Sequence, residues 1–448
     1  MKLKPMGRAA KASMLSLSLA LGVSACSNDY TVAYVYMTTA KTLPHGLINS
    51  YQVDYQSGHL LPMPDSPIDA GGRDTVALVV APNNLFLYTV NNFDSDVTEF
   101  AIGTDGKLYP QFTSNVMGSL PTAAAVDAAG KFLYVAYTYQ NNPPSPGYPS
   151  GSELYTPANP GPGGISIFPI NANNTLGAPI SVNAGRNPVG IATSPLQVAK
   201  GTSGCAPVSG NYCTEVWLIE QDSATAANLL GYLEDPSTGA LTPLPGVTLS
   251  AGNVPSTGFA LGTLPNGTTM GFSPSGILVS PSGTNLYVAD QAANGVTPLY
   301  VGSNGIPSAT VSAGSAKGTL LAPVATDAGP MGMAFDLNTN FLYVTAYTAN
   351  AIDGFNLGAG GQPTRSSVSG VVQTGTGPTC IAVGGAPSNS DPSHAVYLYS
   401  SNSLNNSVTG EQLNEQNGSL DQIVDSPFSG SALPTCIAIV PAFPLRSY

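Results

Sequence analysis

The stretch GTGPTCIAV at 375–383 is nearly repeated as GSALPTCIAI at 430–439. After the first copy the chain runs on to a tyrosine-bearing apolar phrase at 394–399, whereas after the second it stops at Tyr448. That apolar phrase occurs seven times: VAYVYM (Tyr34), LFLYTV (Tyr88), KFLYVA (Tyr134), TEVWLI (Trp217), TNLYVA (Tyr287), NFLYVT (Tyr343) and HAVYLY (Tyr397). The phrase rich in small residues also occurs seven times, ahead of six of these and once more from 433. A third strand-like run follows each aromatic phrase, as in VTEFAI (97–102), and turns such as GTDGKL or PSTGAL lead to a fourth. Glycine in such turns takes positive φ without steric cost, which is hairpin chemistry. Four antiparallel strands per repeat, at a period of about 60 residues, make one propeller blade. The expected fold is therefore all-β, a seven-bladed propeller with four-stranded antiparallel blades. The chain starts on a second strand and finishes on a first strand, so the C-terminal strand should pair with the N-terminal blade. Closing the ring that way leaves no open sheet edge.

The residues before the repeats read as an address. Lys2, Lys4, Arg8 and Lys11 precede an apolar run at 14–23 that is too short to cross a bilayer. It ends in Val23-Ser24-Ala25-Cys26, small residues before a cysteine, which resembles a bacterial lipobox; a plain signal-peptide site near Ala25 is the alternative. The expected organisation is a leader at 1–25, a lipidated Cys26 with a short tether to 31, and the propeller over 32–448. The expected location is the bacterial cell envelope, on the outer membrane or its periplasmic face, with the lipid as the only membrane anchor. Without the leader, nine Lys and Arg stand against 25 Asp and Glu, a formal charge of −16. Such a surface repels nucleic acid. A monomer is expected, with an envelope protein or a carbohydrate as partner.

In a propeller, the loops that lead into first strands and those joining second to third strands share one face, called the top here. Arg73 and Arg186 precede first strands, and Asp94, Asp96, Asp222 and Asp290 follow second strands. Two cations and four carboxylates on one rim suit a sugar, a polyol, a carboxylated ligand or a calcium ion. The alternative is that these Asp residues cap their own turns. Tyr137, Tyr139, Tyr148 and Tyr155 flank or occupy a Pro- and Gly-rich insertion on the same face, either as flat faces for a ligand or as loop packing. Cys205 and Cys213 bracket a short loop that a disulfide would staple. Cys380 and Cys436 hold equivalent positions in neighbouring inner strands, where they are either bonded or two buried thiols. No spacing supports zinc.

The LYV phrases, notably Leu342-Tyr343-Val344-Thr345, and the turns of the form Ser237-Thr238-Gly239-Ala240-Leu241 make the chain similar to the lactonase family of seven-bladed propellers, which includes phosphogluconolactonase-like proteins and borders the YVTN repeat proteins. That resemblance implies hydrolysis of a sugar lactone by His, Arg and acidic residues near the mouth of the axis. None of His45, His59 and His394 lies on an inner strand. The leading expectation is thus a binding or scaffold propeller, with the lactone hydrolase as its alternative.

Overall fold

The structure, a computed structural model, describes residues 31–140, 162–195, 197–198, 212–248, 257–261, 271–302, 306–312, 317–368, 370–385 and 395–442. Cys26, Tyr148, Tyr155, Cys205 and His394 lie outside them, and so does the leader. The strands form seven antiparallel sheets of four or five strands, arranged as blades, together with one two-stranded pair, Gln197–Val198 with Tyr212–Cys213. Blade 1 is completed from both ends of the chain: Thr31–Thr39 pairs with Leu47–Asp54 on one side and with Pro434–Pro441 on the other. The register of the closing pair runs from Ala33 opposite Pro441 to Thr39 opposite Pro434. The offset of the chain ends is thus resolved in one sheet, as the repeat pattern requires.

Inner strands carry an equivalent residue in all seven blades, Thr75, Pro121, Pro188, Pro274, Pro330, Pro378 and Pro434, which is the first of the strand in every blade but the third, where the strand begins at Gly118. The residue after this position stitches several blades to their neighbours through a side-chain hydroxyl. Thr122 donates to the Pro188 carbonyl (2.8 Å) and Ser275 to that of Pro330 (2.6 Å). Thr379 donates to the Thr435 carbonyl and Thr435 to that of Thr75, both at 2.7 Å, so the closing strand is tied to the blades on either side. One residue further on are Cys380 and Cys436. Their sulfurs are 2.7 Å apart across neighbouring inner strands, at the placement expected, and both are thiols.

Four residues past the same position of each inner strand, the partner on the second strand is an aromatic: Tyr36, Tyr88, Tyr134, Trp217, Tyr287, Tyr343 or Tyr399. The structural register therefore corrects two of the sequence equivalences, since Tyr36 and Tyr399, rather than Tyr34 and Tyr397, occupy the repeated position. All seven side chains are buried. In five blades the hydroxyl donates to a backbone carbonyl in the turn between third and fourth strands of the following blade. The pairs are Tyr36–Gly106 (2.6 Å), Tyr134–Gly239 (3.5 Å), Tyr287–Gly361 (2.8 Å), Tyr343–Gly418 (2.9 Å) and Tyr399–Gly58 (2.6 Å). Each of these glycines has φ between 68 and 85°. The side chain two residues earlier, such as Tyr34, Phe132, Phe341 or Tyr397, lies against the same glycine where a Cβ would sit. The aromatic strand phrase and the glycine turn ahead of the outer strand thus meet across five of the blade seams. Blade 2 departs from the pattern: the Tyr88 hydroxyl has no partner, and Glu99 instead accepts the Leu176 amide at 3.2 Å.

Between blades lie the apolar layers, for example Tyr36, Leu78, Leu87 and Phe100 between blades 1 and 2. Carboxyl groups are set among them at a cost. Burial pushes Glu99 and Glu411 up to about 7, with the Asp421 charge adding to the rise at Glu411. Burial, and then the charge of Asp127, pushes Glu234 up to about 8. These groups hold their proton in the folded chain at pH values where the unfolded chain has lost it. The stability they contribute is complete below the ordinary glutamate range and is lost as pH rises through 7 to 8.

Two outcomes follow for denaturation experiments. Tyr343→Phe leaves the Gly418 carbonyl without its donor and should cost about 1–2 kcal/mol, while Gly418→Ala, which forces a Cβ against Phe341 at positive φ, should cost more; urea titration of the two variants checks that order. The melting temperature should fall between pH 5 and pH 9, and replacing Glu99, Glu234 and Glu411 together by Gln should flatten that slope; a wild-type profile that rises over this range would contradict the burial argument.

Candidate functional site

The top-face loops of blades 1 and 2 bring together the richest group of ionisable side chains. His45 lies between Thr31–Thr39 and Leu47–Asp54, and its loop is held by backbone bonds from Gly46 to Gly72 and from Ala70 to Gly46. Asp69 ends the short strand Ile68–Asp69, which folds back on Leu47–Ile48. That return carries the Asp69 carboxylate to His45 Nδ1, at 3.0 and 2.9 Å from its two oxygens. Two residues on, Gly71 has φ of 88° and passes so close to Thr98 that a Cβ would overlap its side chain. The connection then reaches Arg73, and the Asp-Ala-Gly-Gly-Arg-Asp run reads as the means of crossing from blade 1 to blade 2.

Arg73 is committed in several directions. Its amide donates to Asp94 Oδ2 (2.7 Å), its Nε donates to Asp94 Oδ1 (2.8 Å), and its Nη2 makes a still shorter bond to the same oxygen. The guanidinium also lies 4.2 Å from the centre of the Phe93 ring. The hydrogen bond from Arg73 holds Asp94 below the usual carboxylate range, aided by the positive charge of Arg73. Asp96, two residues on, goes the other way. Its burial raises it, against the opposing bond from Asn91 Nδ2 (2.8 Å). One short segment therefore holds a carboxylate lowered by its arginine partner beside a carboxyl raised by burial.

The remaining expected residues disperse. Arg186 Nε faces Asp222 Oδ1 at 3.8 Å on blade 4, at the position equivalent to Arg73. Asp290 is the last residue of a second strand, buried, and accepts the amides of Ser273 (3.1 Å) and Ala293 (2.9 Å), so it caps its turn. Asp222 likewise belongs to a second strand, Glu215–Ser223. Tyr137 departs from the ligand-face expectation: it is 2% exposed, packed against Gly118 and Gly164, and burial pushes its hydroxyl up to about 12. Tyr139 is half-buried. Among the described residues, no three His, Cys, Asp or Glu side chains converge on one point as a calcium or other metal site would need.

Two arrangements escaped the sequence reading. The His45–Asp69 pair depends on the fold-back of a two-residue strand, which no periodicity announces. On blade 6, Asp353 is fully buried, accepts the Asp327 amide (2.7 Å) and is bonded by Arg365, which also reaches Asp327 Oδ1 at 3.2 Å. Arg365 lies on the outer strand Pro363–Arg365, a position that topology alone gives no reason to inspect. His59, by contrast, lies in a turn on the opposite face, 3.7 Å from Asp425 and edge-on to Phe428.

The comparisons with known proteins follow this geometry. Residues 34–193, which hold the His45, Asp69, Arg73, Asp94 and Asp96 cluster, match the family model described as lactonase, 7-bladed beta-propeller. No curated protein matches the sequence. The structure of a periplasmic gluconolactonase from Pseudomonas aeruginosa is similar at a TM-score of 0.61 and 15% identity, over 92% of this chain and 99% of that one. A Bacteroides fragilis protein provisionally named 6-phosphogluconolactonase is similar at 0.60 and 16%, over 93% and 99%. At such identities the likeness speaks for the fold. The chain is thus a seven-bladed β-propeller whose residues 34–193 are similar to the lactonase family.

Proposed function

We propose that the protein hydrolyses a sugar lactone on its top face, at the seam of blades 1 and 2. The observation that carries this reading is the His45–Asp69 pair beside Arg73 and Asp94, all inside the segment that matches the lactonase family. The Asp69 carboxylate accepts from Nδ1, which sets the tautomer with the lone pair on Nε2. Nε2 takes a proton from water as the water oxygen bonds to the lactone carbonyl carbon. The ring C–O bond then breaks, and the imidazolium returns its proton to the departing ring oxygen, so one lactone and one water become one hydroxy acid. Arg73, half-buried and fixed by Asp94, would offer a held positive charge to the developing oxyanion. The likeness to a gluconolactonase and to a provisionally named 6-phosphogluconolactonase supports a sugar-derived lactone as the substrate class.

A second reading, capture of a carbohydrate or an envelope protein without turnover, is favoured by apolar side chains exposed on the same face. Leu43, Phe93, Leu404 and Leu433 are each at least half exposed there. In either reading the leader and Cys26 support an envelope location with a lipid anchor.

Assaying purified protein against a panel of aldonolactones distinguishes the two. Hydrolysis should be seen, His45→Ala should lower kcat/KM by about 10²–10⁴, Asp69→Asn should lower it less, and His59→Ala on the opposite face should leave it within about twofold; binding of the sugar with no turnover would select the second reading. For the location, Cys26→Ala should release the protein from membranes into the soluble fraction and abolish metabolic labelling with a fatty acid; unchanged fractionation would exclude the lipid anchor.

A further inference from the structure

The third strand of each blade carries one residue that follows the partner of the repeated aromatic. In six blades it is large and mostly apolar: Tyr51, Phe100, Phe168, Tyr232, Leu299 and Phe355. Each of these is buried. In blade 7 the same position is Glu411. It is fully buried, and neither carboxyl oxygen has a hydrogen-bond partner. An unpartnered buried carboxyl costs several kcal/mol in general, and this one takes the place of a ring that would have packed the seam.

In front of Glu411 is a cavity of about 350 Å³ between the outer strands of blades 6 and 7. Val372, Leu420 and Pro427 supply apolar wall, and Thr374 and Gln422 supply polar edges. The volume is within the range of small-molecule sites, and the mixture of apolar wall with one charged group is their usual composition. The lining holds Glu411 as its one acidic residue and no histidine, with the Asp421 charge acting on Glu411 from beyond it, so the cavity lacks the donor set of a metal site.

We propose that this cavity binds a small organic cation bearing N–H donors, with Glu411 as its counter-ion and the apolar wall against its carbon skeleton. The site is separate from the top-face cluster and does not depend on the lactonase reading. An ammonium or guanidinium group would supply the hydrogen bonds that both Glu411 oxygens lack, and it would turn a destabilising residue into half of an ion pair.

The test uses n-butylammonium chloride as the probe on the full chain, with sodium chloride and tetramethylammonium chloride at equal ionic strength as controls. The probe should raise the melting temperature saturably by a few degrees, and calorimetry should give one site per chain. Tetramethylammonium, which has no N–H, should do much less. Glu411→Gln should fold at least as stably as wild type, because it removes a buried ionisable group, and should bind the probe at least tenfold more weakly. Glu411→Phe should restore the packing of the other six blades, raise the melting temperature without ligand, and abolish the response. The His45→Ala variant should respond as wild type does, which separates this site from the lactone reading. A wild-type shift no larger than that in sodium chloride, or a Glu411→Gln variant that binds as wild type does, would overturn the proposal.

Discussion

The pairing of Pro434–Pro441 with Thr31–Thr39 is the interaction on which the rest of the molecule depends. A blade that lacks its inner strand has an exposed edge and no wall toward the axis. Supplying that strand from the far end of the chain makes the ring a closed object whose blades cannot spread independently. The hydroxyl relay Thr379–Thr435–Thr75 runs through the closing strand at the axis, so its position is specified from both neighbours as well as from its own sheet. The stacking of the Cys380 and Cys436 thiols in one layer follows from the same geometry.

Outside the axis the ring is held by a repeated device, a tyrosine hydroxyl of one blade on a glycine carbonyl of the next. The motif that identifies this kind of propeller is therefore a joint between blades rather than part of a reaction centre. This explains why the aromatic strand phrase and the glycine turn travel together: each serves the other across a seam. It also isolates the places where the joint fails. Tyr88 lacks its carbonyl partner and Glu99 contacts the next turn in its stead, while in blade 7 a carboxyl stands where the other blades have a ring. Local departures of this kind, set in a scaffold that otherwise repeats, are where a function is most economically sought.

The top-face cluster shows how a scaffold makes a site without dedicating a strand to it. Arg73 and Asp94 secure the loop into blade 2, and Asp94 stays ionised because Arg73 is bonded to it. The His45 loop is brought to the same seam by a backbone bond from Gly46 to Gly72. A structural ion pair and an oriented imidazole therefore share one wall. On blade 4 the equivalent arginine, Arg186, faces Asp222 at the longer distance of 3.8 Å, and no histidine accompanies it there among the described residues.

The periodic phrases by themselves determined the blade count, the strand order and the closure, because hydrophobic alternation and turn glycines are local properties repeated seven times. They also placed Arg73 and Asp94 on one face, since the face follows from strand order. The exact seam register needed the fold: Tyr34 and Tyr36 both read as strand aromatics, and only the neighbouring blade shows which hydroxyl meets a glycine carbonyl. Burial decided the rest. Tyr137 and Asp290 look like rim residues in one dimension and are packed inside in three, and the His45–Asp69 contact spans 24 residues through a two-residue strand. Glu411 is an unremarkable polar residue in the sequence, and its meaning arises only when seven blades are superimposed on one another and its six counterparts prove to be Tyr, Phe or Leu. Contacts between distant segments depend on how loops and edges settle against each other, and that information is stored in the packed ring rather than in any single stretch of chain.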